Sequence, residues 1–516
     1  MNKKDRLLAL QYSLYERIRN RIYNITGPDT EEILEYEHSF LSSLPNAHAD
    51  GVISKFKSDA ERCKFILFGD FHALPSNQQD FLDLINYLFY KKNDKKIVIA
   101  LECFSIDDQV HIDNYLLGNC DEKKFLSSSE YVKNWGFPWP PIKKILDFAK
   151  KNKLPVVGVN VGKGESFSLS ERDRVFAQHL LNTMEKYDGY KLAYLVGEHH
   201  LSTDHLPKQI IDRSKHKVSQ DDLMVVLSNT DKYYFASLEE ATDKASTLFN
   251  LGGNNYCILD TPPWGKWLSY LVWQEHVLMQ PGCETCAHPW AKYGEEQCCY
   301  DTEDYFLECF SFFMKYFGEG ESYQSICNYF NRIITVEKEY FKGHGMDDSW
   351  EYYRFQHFDS AYFSEKKIIY WKPLSWRGIV SAIAQCLALK QPLEVSQGDK
   401  NIFDENIKVS LTYYSFESIF NPVGFLNQSW IKKNLFGHGN SFVLREKRPI
   451  SKYCRSQYHP YLQSHGIGQS LASILNQGFQ SEDHSYTYLH KLLHSGSSKG
   501  FSFLSELDDI VEKKHA

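Results

Sequence analysis

The hydrophobic pattern of the chain changes twice. Over the first 26 residues apolar side chains recur three or four apart, at Leu7, Leu10, Leu14, Ile18, Ile22 and Ile25, until Gly27 and Pro28 interrupt the run. That spacing predicts an amphipathic helix ended by a glycine cap and a proline. Arg6, Arg17, Arg19 and Arg21 lie off the apolar stripe, and the helix is expected to dock that stripe on a domain. From about 61 to 262 the texture is different. Short runs dense in Val, Ile and Leu appear at 64–68, 96–101, 154–159, 191–196 and 223–228. They do not alternate with polar residues, as expected of strands buried on both faces. Helical patterns separate them. One is expected to begin at Ser76, with Gln79 as its capping-box partner and Phe81, Leu82, Ile85, Leu88 and Phe89 as its apolar face; another is expected to begin at Ser170, with Asp173 in its first turn. Such alternation predicts an α/β fold: a mostly parallel sheet flanked by helices.

Past residue 262 strand signals thin out, aromatic residues rise and long helical patterns such as 302–342 dominate. Two fragments, KKIIYWKP and SFVLREKR, have strand character but no evident partner. The expected division is a helical segment over 1–60, the α/β domain over 61–262, and a mainly helical C-terminal region over 263–516. A chain of 516 residues is in any case too long for one core, since domains run to roughly 100–200 residues.

The net charge of −8 provides no basic field for nucleic acid. No apolar run approaches the roughly 20 residues of a membrane span. The N-terminus lacks the apolar core and cleavage site of a signal peptide. Twelve cysteines are scattered through the sequence, which fits reduced thiols and a cytoplasmic protein.

Candidate chemistry lies just after the strands. In a parallel sheet, ligands bind beyond the carboxyl ends of the strands. The first strand runs into Gly69, Asp70 and His72; the second into Glu102; the third into Asn160; the fourth into Gly197, Glu198 and His200. A Gly-acid-x-His pattern therefore occurs twice at one sheet edge. Glycine permits a sharp turn and close approach, and a histidine three residues on can act as a base or a metal ligand. One such pattern alone is ordinary loop chemistry. Two of them with Glu102 mark a candidate site.

The segments from about 63 to 275 resemble the ChaN-like family, the haem-binding-uptake members of the Tiki, TraB and erythromycin-esterase superfamily. The matching pieces stand in order: ILFGDFH, IALECFSIDDQVHIDNYLLG, NWGFPWPPIKKILDFAKKNKLPVVGVN, SERDRVFAQHL, LVGEHHL and TPPWGKWLSYLVW. The resemblance implies an α/β sheet with a polar site formed by His72, Glu102, Glu171 and His200, with Gly69, Asp70, Asn160, Arg172, Gly197 and Glu198 around it. Asp70 replaces the family's usual Glu after the first Gly. Two functions follow from the resemblance. One is binding of haem or iron, without catalysis. The other is metal-dependent hydrolysis, in which His72 and His200 hold a divalent ion, Glu102 or Glu171 takes a proton from water, and Arg172 either forms a salt bridge to an Asp or Glu, the favoured role, or steadies an oxyanion. A degenerate, purely structural domain is the third reading. The expected partner is a haem or other small-molecule ligand.

A second cluster, GCETCAHPWAKYGEEQCC, lies outside the resemblance. Cys283 and Cys286 form a Cys-x-x-Cys, with Cys298 and Cys299 following after eleven intervening residues, His288 among them. Four such thiolates, or three and the histidine, are a candidate structural zinc site.

Overall fold

The computed structural model describes residues 3–47, 52–91, 96–162, 166–240, 248–279, 306–311, 330–336, 338–346, 349–372, 375–389, 405–406 and 409–414. They fall into two compact units, one holding the described residues through Met279 and the other those from Phe306 onward. The candidate zinc cysteines, and the fragment SFVLREKR, lie outside the described residues.

The first unit is an α/β domain. Helices α1 (Lys3–Thr26), α2 (Glu31–Ser43) and α3 (Val52–Arg62) precede β1 (Phe65–Asp70). Then come α4 (Pro75–Asn86), β2 (Ile97–Ser105), α5 (Gln109–Leu117), α6 (Glu122–Ser128), α7 (Tyr131–Asn134), α8 (Trp139–Asn152) and β3 (Val156–Asn160). The second half carries α9 (Leu169–Lys186), β4 (Lys191–Gly197), α10 (Leu206–Arg213), β5 (Leu223–Ser228), α11 (Asp231–Glu240), β6 (Leu248–Asn250), β7 (Asn255–Ile258) and α12 (Pro263–Met279). The strands form one sheet in the order β3-β2-β4-β1-β5-β7-β6. All neighbours are parallel except β6 and β7.

All five predicted strands are present. Every residue of β1, β2 and β5 is buried, which explains why the stretches 65–68, 97–101 and 223–227 are continuously apolar before the polar residues at their carboxyl ends. The core below the sheet is built from Ile66, Phe68, Ile99, Leu101, Phe81 and Leu146, among others. The N-terminal helix docks as its stripe requires. Leu10, Leu14, Ile18 and Ile22 are buried, α1 packs on α12, Arg21 pairs with Glu275, and Arg19 lies 3.9 Å over the Trp267 ring. Gly27 ends it at φ +74°, a conformation that costs glycine nothing.

Two helix starts differ from expectation. Pro75, with its fixed φ, opens α4; Ser76 lies inside the helix and hydrogen-bonds Thr261 instead of capping. In α9 the cap is Ser168, whose side chain accepts from Glu171 N while the Glu171 carboxylate accepts from Ser168 N, a full capping box two residues earlier than expected.

In the second unit the fragment KKIIYWKP finds its partners. It forms β10 (Ile368–Trp371), which pairs antiparallel with β9 (Ser360–Phe363) and parallel with β8 (Arg332–Thr335). Helices pack around this small sheet. One of them, Trp376–Ala388, is buried nearly all round.

Candidate functional site

The strand order decides what meets. β4 lies between β1 and β2, with Gly197 level with Asp70 across the β1–β4 ladder and Leu195 level with Leu101 across β2–β4. His72, Glu102 and His200 therefore leave three adjacent strands at one edge. β2 loses its register with β3 between Leu101 and Ser105. Such an irregularity lets a strand re-aim a side chain, and Glu102 falls within it.

Glu102 is the hub. It is 4% exposed. Its Oε1 accepts from Arg172 at 2.8 Å, and its Oε2 accepts from the Gly197 backbone N–H at 2.7 Å. The two histidines flank it. His72 Nε2 lies 4.0 Å from Oε2, and His200 Nε2 lies 3.8 Å from Oε1. Both gaps exceed hydrogen-bond length. Gly197 lies at the centre of this convergence: a side-chain carbon added there would come within ordinary contact distance, 3.5 Å, of Glu102 Oε2, His200 Cδ2 and His72 Cε1.

Each imidazole is fixed from its other nitrogen. His72 Nδ1 lies 2.9 Å from Asp70 Oδ2, and His200 Nδ1 lies 2.7 Å from Asp173 Oδ1. A carboxylate only accepts hydrogen bonds, so Nδ1 carries the hydrogen in both couples and Nε2 faces the site. Each aspartate's second oxygen is also held, Asp70 Oδ1 by the Gln78 side-chain amide and Asp173 Oδ2 by the Tyr36 hydroxyl.

The charges tune one another. Burial opposes ionisation of Glu102, but the charges of His200, His72 and Arg172, with the Gly197 N–H, outweigh it and hold its carboxyl below the usual range. Burial also pulls the His72 pKa down, yet the Asp70 hydrogen bond and the Asp70 and Glu102 charges leave it raised. A histidine with a raised folded pKa adds stability below its unfolded value of about 6.5; that contribution is lost as pH rises through the folded value. Burial pushes the pKa of neighbouring His199 down to about 4.

Among the predicted residues, His72, Asp70, Glu102, His200, Arg172 and Gly197 come together, and Asn160 borders them with its Oδ1 3.5 Å from Arg172. Glu171 is a helix cap, and Asp173, two residues on, reaches the site. Gly69 gives close passage to the neighbouring loop: a Cβ there would lie 3.2 Å from the Glu198 Cβ. Glu198 turns away from the histidines. It pairs at 2.6 Å with Lys266, which is itself 2% exposed and also donates to the Asn229 carbonyl. Burial opposes the Lys266 charge, but Asp231 and Glu198 raise its pKa above the ordinary value. The two Gly-acid-x-His motifs thus do different work: the acid of the first orients its histidine, and the acid of the second anchors α12 to the sheet edge.

The sequence reading missed Asp173, Tyr36 and Gln78 as site residues. A signal existed for Asp173. Once Ser168-x-x-Glu171 is read as the capping box, Glu171 is committed to the cap. Tyr36 had no signal, because it arrives from α2 through tertiary packing.

His72 stands at the mouth, its side chain 22% exposed. Its ring centroid lies 4.4 Å from Trp135 and 5.0 Å from Phe137, and Phe137 stacks on Trp273 at 4.0 Å. Residues 57–171 match the family model described as haem-binding uptake, Tiki superfamily, ChaN. The chain carries a ChaN-like domain. The matched residues run from α3 to the first turn of α9, so they include His72, Glu102 and Asn160, while His200 and the rest of the sheet lie beyond them. A solved structure of ChaN from Campylobacter jejuni, described as showing cofacial heme binding, is similar over 40% of this chain and 89% of its own, at 14% identity and a TM-score of 0.29. No curated protein matches the chain. Among the described residues, no group of three His, Cys, Asp or Glu side chains is arranged to hold a metal ion, and the six described cysteines, including Cys63, Cys103 and Cys257, are not joined in disulfides. No described helix is long and apolar enough to cross a membrane.

Proposed function

We propose that the ChaN-like domain binds haem at the carboxyl edge of its sheet, with His72 as the iron ligand. The observation that carries this reading is the Asp70–His72 couple at the mouth of the site. Haem iron takes an imidazole ligand, and such imidazoles commonly donate their other N–H to a carboxylate or carbonyl. His72 Nδ1 does so to Asp70, and the ring lies tilted against the aromatic rings of Trp135 and Phe137. When bound, the haem would supply an iron centre. The chain's own residues orient the ligand nitrogen.

Haem titration followed in the visible spectrum tests the reading. A saturable band shift is expected for the native chain and its loss for His72→Ala, with folding intact by circular dichroism. An unchanged titration in His72→Ala would remove the assignment. A proton competes with iron for Nε2, and the pKa of His72 is raised. Haem affinity is therefore expected to fall as pH drops through the raised pKa of His72, with the fall beginning above the value of a free imidazole.

Metal-assisted or histidine-based hydrolysis is the second reading, favoured by a separate observation: two carboxylate-oriented imidazoles direct Nε2 at a shared Glu102. General-base chemistry uses such an arrangement. Here His200→Ala is expected to abolish turnover of an ester, lactone or peptide substrate while leaving haem titration unchanged. Turnover that survives in both His72→Ala and His200→Ala would reject it.

A further inference from the structure

The carboxylate–histidine device occurs twice in the site, and the second copy lies wholly outside the family-matched residues. In the first copy, Asp70 holds His72 with one oxygen and is held by Gln78 at the other. In the second, Asp173 holds His200 with Oδ1, and its Oδ2 accepts from the Tyr36 hydroxyl at 2.7 Å. The same hydroxyl oxygen lies 2.9 Å from His200 Nδ1.

Tyr36 is placed for this. It is 8% exposed on α2. Its ring stacks on His205 at 4.0 Å with an interplanar angle of 13°. His205 is in turn fixed by the Ser39 hydroxyl at 3.0 Å and the His199 carbonyl at 2.8 Å. Burial and the Asp173 charge keep the phenol protonated, so it remains a donor.

His200 needs such a device because it stands between two carboxylates, Asp173 at Nδ1 and Glu102 at Nε2. Each attracts the single hydrogen of a neutral imidazole. Fixing the Asp173 carboxylate at hydrogen-bond length, against 3.8 Å for Glu102, settles the competition. We infer that Tyr36 is a positioning residue that locks Asp173 and thereby holds His200 as the Nδ1–H tautomer, with Nε2 presented as a bare lone pair. This concerns the chain's own residues and is independent of which ligand the domain takes.

The test is nitrogen NMR of the full chain labelled at histidine, with the His200 signal identified by its disappearance in His200→Gln. The native protein should show a protonated Nδ1 and an unprotonated Nε2. Tyr36→Phe should move both shifts toward the average of two tautomers, and Ser39→Ala, on the same helix, should not. Asp173→Asn, whose amide can donate to Nδ1, should favour the opposite tautomer. A native-like pattern in Tyr36→Phe overturns the inference. So does an Nε2–H tautomer in the native chain, a measurement that needs no variant to fold. A haem titration that fails beside an intact NMR result would reject the ligand and leave the positioning role standing.

Discussion

Glu102→Ala is expected to destabilise the α/β unit by about 3 kcal/mol, the lower end of the range for removing one partner of a buried ion pair. The variant leaves the Arg172 guanidinium without its carboxylate and the Gly197 N–H without its acceptor. It also brings His72 and His200 together with no anion between them. The lower end applies because the Arg172 side chain is 24% exposed and recovers some hydration. Denaturant unfolding of the full chain measures the loss as a lower midpoint with the slope unchanged. Glu102→Gln separates charge from shape. Its amide oxygen can still accept from Gly197 N, so it should recover part of the stability but not the Arg172 pairing. Equal losses in the two variants would show that charge, and not packing, sets the value of this residue.

Lys266→Met should cost about as much or more, on the order of 3–5 kcal/mol near neutral pH, although Lys266 touches neither site histidine. The ammonium is 2% exposed, and its removal strands the Glu198 carboxylate in the interior. Asp231 loses a neighbour at 3.5 Å as well. The sign with pH is opposite to that of a salt-bridged carboxylate. A stranded, buried Glu198 has a folded pKa above its unfolded value of about 4.3. The destabilisation is therefore absent below that unfolded value, grows as pH rises, and levels off above the folded pKa. Unfolding measured near pH 7 and near pH 4 should show the gap to the native chain shrinking in acid. The double variant Glu198→Leu/Lys266→Met should regain much of the loss, because a buried pair replaced by apolar groups is often neutral. No recovery in acid would mean that Glu198 is not the stranded group.

These two residues also show what the sequence could and could not disclose. Lys266 and Glu198 sit 68 positions apart, and both were visible as motif residues. Their pairing depends on α12 folding back to the sheet edge, which no local pattern encodes. The five long strands were legible because burial on both faces removes polar residues from them. Strands β6 and β7, with three and four residues, are too short for a period to register, and β6 ends the sheet as an edge. His72, Glu102, Asn160 and His200 were legible because residues that follow parallel strands collect at one edge. Among Glu171, Arg172 and Asp173 the sequence alone did not select the inward residues. Each helical residue turns by about 100°, so the phase of α9 decides, and that phase is set by the cap at Ser168. With Glu171 held at the cap, Arg172 and Asp173 reach inward.

The position of β4 bears on how the domain comes to exist at all. During synthesis β1, β2 and β3 emerge first, and among these only β2 and β3 are neighbours. β1 has β4 on one side and β5 on the other. The segment 57–171 that carries the family's signature therefore contains a buried strand, apolar from Phe65 to Gly69, with no partner for either edge. Such a strand, exposed before its partners arrive, is a template for aggregation. The domain's earliest chemistry is in place by Glu102, yet its sheet cannot close until residues near 197 slot between β2 and β1. A nascent chain halted before that point would carry both a half-formed site and an adhesive edge.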